Sequence, residues 1–88
     1  MKNKIFTDAA WQDYLYWEKQ DRKTLKRINS LIEDIDRNGN AGIGRPEPLL
    51  GDLSGFFSRR INIKDRLIYS SDGDNIYIVA CRSHYDDR

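Results

Sequence analysis

Apolar positions recur at helical spacing through the first half of the chain and then switch to strict alternation. Ala10, Tyr14 and Trp17 fall at i, i+4 and i+7, with Trp11 and Leu15 beside them, which gathers these side chains on one face of a helix. Leu25, Ile28, Ile32 and Ile35 repeat at i, i+3, i+7 and i+10, and Leu31 widens that stripe. Thr7 or Asp8 offers a cap for the first helix and Asp21 for the second, while Asn38-Gly39-Asn40 stops it. From Phe56 the period becomes two. Over Phe56–Ile63, one face carries Phe57, Arg59, Ile61 and Ile63, and the other Phe56, Ser58, Arg60 and Asn62. Lys64-Asp65 predicts a turn, Arg66–Ser70 a second strand, Asp72-Gly73 a hairpin and Asn75–Ser83 a third strand. Lys4-Ile5-Phe6 is a short β-like start that could join one edge. The pattern predicts an α+β fold: two N-terminal helices packed on a small antiparallel β-sheet.

Between the two regimes, residues 39–55 hold Gly39, Gly42, Gly44, Gly51, Gly55 and both prolines, Pro46 and Pro48. Irregular segments this long are uncommon in compact domains and often carry a site. With 88 residues there is room for one domain, 1–88, and no second core. Charged residues make up 33% of the chain, but 15 basic and 14 acidic side chains nearly cancel, so the composition is that of a folded domain. Cys81 is the lone cysteine and His84 the lone histidine, which excludes an internal disulfide and a thiolate zinc site. No metal or other cofactor is signalled. The longest apolar run, Ile76–Cys81, is far short of a membrane span. No apolar segment of the signal-peptide kind precedes Asp8, so the expected compartment is the cytoplasm.

Charge changes the picture locally. Between Arg45 and Tyr69, Arg45, Arg59, Arg60, Lys64 and Arg66 outnumber Glu47, Asp52 and Asp65, and arginine is the residue suited to bidentate phosphate contacts. Glu47, bracketed by Pro46 and Pro48, is a carboxylate on stiff, extended backbone. His84 follows a well-signalled strand, and an imidazole is the side-chain type able to give or take a proton near neutral pH. Arg59 and Arg60 point to opposite faces, so only one readily joins Arg66 or Arg82. Each residue also has an ordinary structural reading: a solvated loop acid, a capping histidine, salt-bridged arginines. Trp11, Trp17 and the helix tyrosines read as core. Together, a carboxylate, an imidazole and guanidinium groups are the parts that metal-free RNA cleavage by acid–base chemistry requires.

Five segments then carry a resemblance: Trp11–Trp17 (WQDYLYW), Arg45–Leu49 (RPEPL), Leu53–Ile61 (LSGFFSRRI), Asp65–Tyr69 (DRLIY) and Ser83–Tyr85 (SHY). Collinear over about residues 4–85, they resemble the YoeB family of RelE-like bacterial toxins. The resemblance implies a ribosome-dependent endoribonuclease that cuts translated mRNA in the ribosomal A site. It also implies a YefM-like antitoxin partner, operator DNA bound only through the toxin–antitoxin complex, and a homodimer. By position it makes Glu47 the general base, His84 the general acid, Arg66 the group on the scissile phosphate and Tyr85 a supporting side chain. Arg60 is a second phosphate contact, and Arg59, Arg45 and Arg82 are expected among the substrate-binding residues. Two departures stand out. Leu50 occupies a position where the family often has lysine, and Asp86-Asp87-Arg88 follow the tyrosine. Other readings stay open: a ribosome-independent RNase, a non-catalytic ParE-like toxin, or an interaction domain for antitoxin or DNA on the same scaffold.

Overall fold

The computed structural model describes residues 1–83; His84 and Tyr85 lie outside them. Strand β1 (Asn3–Phe6) leads into helices α1 (Asp8–Gln20) and α2 (Arg22–Asn38). Strands β2 (Glu47–Pro48), β3 (Phe57–Arg60), β4 (Arg66–Ser71) and β5 (Asn75–Ser83) follow. They form one sheet in the order β1-β5-β4-β3-β2. The pairing is antiparallel except at one edge, where β1 runs parallel to β5. The sheet is therefore mixed: the expected antiparallel meander is present, and the N-terminal strand joins its edge in parallel. The chain leaves β1, crosses one face with two helices, and returns through β2 at the opposite edge.

Both helices begin where their caps predict. Thr7 Oγ1 accepts from the amide of Ala10 at 3.1 Å, and Asp21 accepts from the Thr24 amide at 3.2 Å and its hydroxyl at 2.8 Å, satisfying donors that the first turn leaves free. Gly39, at φ 63°, ends α2. The α2 stripe is buried as expected through Ile28, Leu31, Ile32 and Ile35. It meets Leu67, Tyr69, Ile76, Ile78 and Cys81 from the sheet, with Ala10 of α1 and Ile61 completing the core. Tyr14 and Trp17 pack against this core, whereas Trp11, read as core, is 44% exposed. Its ring stacks on Tyr14 and meets Phe6 edge-on.

The strand predicted over Phe56–Ile63 is shorter than its alternation suggested. Strand β3 stops at Arg60 because the Asn62 side chain accepts from the amides of Lys64 and Asp65 at 2.8 and 2.6 Å, closing the hairpin early. Ile63 is consequently 96% exposed in the turn. Inside the glycine-rich loop, residues 47 and 48 pair with β3 and Gly51–Leu53 form one 3-10 turn. Between β4 and β5 the register shifts twice. Ile68 faces Ala80 while Tyr69 faces Ile78, and Arg66 faces Ser83, so β5 carries extra residues in two bulges.

Candidate active site

The prolines around Glu47 suit an edge strand, where a missing amide breaks no ladder. Glu47 pairs with Ser58, Ser58 with Ile68 and Ile68 with Ala80, making one row across β2 to β5. Directly opposed residues share a face, and this face points away from the helices, because Phe57, next to Ser58, and Tyr69, next to Ile68, pack on the core side. Two residues further along lies a second row, in which Arg60 opposes Arg66 and Arg66 opposes Ser83. The backbones of Glu47 and Arg66 are two strand spacings and one dipeptide step apart, about 12 Å from strand geometry. Glu47 and Arg60 are exposed and Arg66 is half-buried.

Two cations opposed across strands repel, so the Arg60–Arg66 pair is an arrangement that an anion stabilises. Among the described residues, the buried Nε of Arg66 and the buried hydroxyl of Ser58 have no hydrogen-bond partner. Ser58 was not singled out as a site residue from sequence; its register beside Glu47 is what brings it in. One cleft of about 390 Å³ is lined by Phe6, Trp11, Tyr14 and Ile32 near the β1 edge, while on the Glu47 face Ser58 and Ile68 are buried and Glu47 and Arg60 stand exposed at its border.

Arg59 is a correction. It is 0% exposed, and its guanidinium donates to Asp34 at 2.5 Å, to the carbonyls of Ile43, Gly39 and Ala41 at 3.0, 2.6 and 3.0 Å, and to the Tyr69 hydroxyl at 3.2 Å. Those five bonds use all five of its N–H donors, leaving none for a substrate. Asp34 also accepts from Asn38 at 2.7 Å and from the Ile43 amide at 3.1 Å. The Arg59 bond, aided by these two, holds its carboxyl below the usual range despite burial. The loop closes over this pair only because residues 42 and 44 lack side chains. A Cβ on Gly42 would sit 2.0 Å from Asp34 Oδ2, and one on Gly44 2.7 Å from Leu31 Cδ2.

The other arginines separate. Arg82 lies over the Tyr16 ring of α1, 3.5 Å from its centroid, a cation–π contact that turns it away from Arg60 and Arg66. Arg45 is exposed and left-handed at φ 53°, one residue before the Pro46 that leads into β2. His84 and Tyr85 fall outside the described residues. The Cys81 thiol is pushed up to about 12 by burial, then by Asp13 and Asp65, so it is no nucleophile at neutral pH.

Two helices over one face of a small mixed sheet, with a carboxylate and two opposed arginines on the other face, define a class of small α+β domains. Residues 6–85 match the model of the YoeB-like toxin of bacterial type II toxin-antitoxin systems. The Toxin YoeB of Streptomyces coelicolor is 52% identical over 80 residues, covering 91% of this chain and 95% of that protein. The Staphylococcus aureus YoeB dimer superposes with a TM-score of 0.91 at 46% identity, covering 96% of this chain and 98% of that one. In the heterotetrameric YoeB-YefM toxin-antitoxin complex from the same organism, the matching chain gives 0.90 at 45% identity, with coverage of 97% and 99%. The chain belongs to the YoeB toxin family, the toxin component of type II toxin–antitoxin systems.

Proposed function

We propose that this toxin is a ribosome-dependent endoribonuclease that cuts translated mRNA in the A site. The observation that carries the reading is the register that sets the exposed Glu47, on the sheet face opposite the helices, one row from the opposed Arg60 and Arg66. An RNA backbone laid along that face would bring a ribose towards the carboxylate and a phosphate towards the guanidinium groups. Glu47 takes the proton from the 2′-OH; the O2′–P bond forms as the P–O5′ bond breaks; His84 protonates the departing 5′-oxygen. Arg66 and Arg60 neutralise charge growing on the phosphate oxygens. Tyr85 supports the site, and Arg45 stands at its margin as a further backbone contact, whereas Arg82, packed on Tyr16, drops out of the substrate-binding set.

The same reading gives the protein a YefM-like antitoxin that neutralises it, operator binding only as that complex, and a homodimer of the kind solved for the Staphylococcus aureus relative. Its place of action is the cytoplasm, where ribosomes work. Among the described residues, no helix is long and apolar enough to cross a membrane.

Mapping mRNA 5′ ends in a translating extract, with and without ribosomes, tests the proposal. Glu47→Gln and His84→Gln should each lower cleavage by about 10²–10⁴-fold while leaving the fold intact. Wild-type cleavage by both variants would remove the assignment. Equal cutting of naked and translated RNA would make the enzyme ribosome-independent, and toxicity without new 5′ ends would indicate a non-catalytic toxin.

A further inference from the structure

We infer that the buried Arg59–Asp34 pair is the positioning device for Glu47, a role that rests on reading Glu47 as the base. Arg59 touches no reacting atom and acts through the loop. Its guanidinium holds the carbonyls of Gly39, Ala41 and Ile43, alternate residues of a backbone curled around one group. Asp34, on α2, holds the Ile43 amide from the other side. The next residue in β3 continues the clamp, since the Arg60 amide donates to the Gly44 carbonyl at 2.7 Å. Only Arg45 and Pro46 then separate the clamped backbone from Glu47, and proline fixes its own φ. With Pro48 paired opposite Phe57 on the far side, the carboxylate is held from both directions. A loop of glycines would otherwise be the least suitable mount for a catalytic group. The pair supplies that rigidity from the interior.

Arginine is required here for its fork of donors as well as its charge. Lysine at 59 keeps the charge opposite Asp34, but its single ammonium offers three donors where five are used. The experiment is Arg59→Lys in the full chain, with Asp34→Asn as a second variant that preserves volume. Three quantities are read: cleavage of a defined messenger in a reconstituted translation reaction, thermal unfolding, and amide exchange at Ile43 and Arg60 against that at core strand residues Leu67 and Ile78.

Arg59→Lys is expected to stay folded at the assay temperature and to lose about 10²-fold in kcat, the scale of a small misplacement of a catalytic group, with KM unchanged. The Ile43 and Arg60 amides should exchange faster while Leu67 and Ile78 stay protected. Adding Arg59→Lys to Glu47→Gln should cost little further, because no base is left to displace, whereas independent losses would multiply. Multiplying losses, or wild-type kcat with loosened Ile43 and Arg60 amides, overturn the inference; so does unchanged exchange at both amides. If Arg59→Lys is unfolded at the assay temperature, Asp34→Asn is read by the same criteria. Wild-type cleavage by Glu47→Gln alone would instead sink the reading of Glu47 as base, with the exchange data still reporting on the clamp.

Discussion

At Gly44 the backbone has φ 82°, and a methyl there would lie 2.7 Å from Leu31 Cδ2 and 3.2 Å from Arg59 Cβ. Left-handed backbone and overpacking act together at that one atom. Gly44→Ala should therefore lower stability by about 1–3 kcal/mol, read as a shift in the urea midpoint, and an unchanged midpoint would show that the loop yields without cost. Residues differ in how much of this was written in their neighbours. Glu47 was legible because two prolines announce a fixed carboxylate. Arg59 was not: alternation correctly put it on the face opposite Arg60 but could not say that a buried acid and three carbonyls lay beneath that face. Asp34, one residue before Ile35 in an apolar stripe, was the overlooked signal, since a carboxylate buried among leucine and isoleucine needs a partner.

Helix α2 carries its acid on its buried side, and that makes its docking sensitive to pH. The folded-state pKa of Asp34 is depressed by Arg59 first, then by Asn38 and the Ile43 amide. A depressed carboxyl contributes stability that is present above its unfolded value, near pH 3.9, and lost as pH falls through the lower folded value. Denaturation midpoints should fall as pH drops below about 4, and Asp34→Asn should flatten that part of the dependence although Asp21, Asp36 and Asp72 are depressed too. An unaltered acid limb would mean the pair adds nothing to folding. Helix limits and the Asp72-Gly73 turn were readable because caps and turns are local chemistry. The end of β3 depended on how the Asn62 side chain folds back, and the β5 bulges on pairing with β4, so neither shows in a period-two pattern.

For the molecule as a whole, a net charge of +1 hides a division between charge spent inside and charge left outside. Binding of a short single-stranded RNA, blocked at the 2′ position, should weaken with salt according to the number of phosphates contacted. Arg60→Ala and Arg66→Ala should each reduce the slope of log K against log salt by about 0.7, while Arg59→Lys leaves it unchanged. A slope that fell equally for Arg59→Lys would mean its guanidinium reaches the RNA. Fold class was legible at this scale, because two helical stripes followed by alternating strands admit few arrangements. The parallel β1 was not, since nothing local distinguishes the direction in which an edge strand docks.

The prolines that stiffen Glu47 have a second effect. The Leu49 amide donates inward to the Phe56 carbonyl, and amides alternate in direction along a strand. The positions whose amides would point outward from β2 are thus 46 and 48, and both are proline. This border of the sheet has no hydrogen to offer a passing extended chain, which blunts strand-by-strand self-association. A sheet that ends in this strand is in this way kept from polymerising along its border.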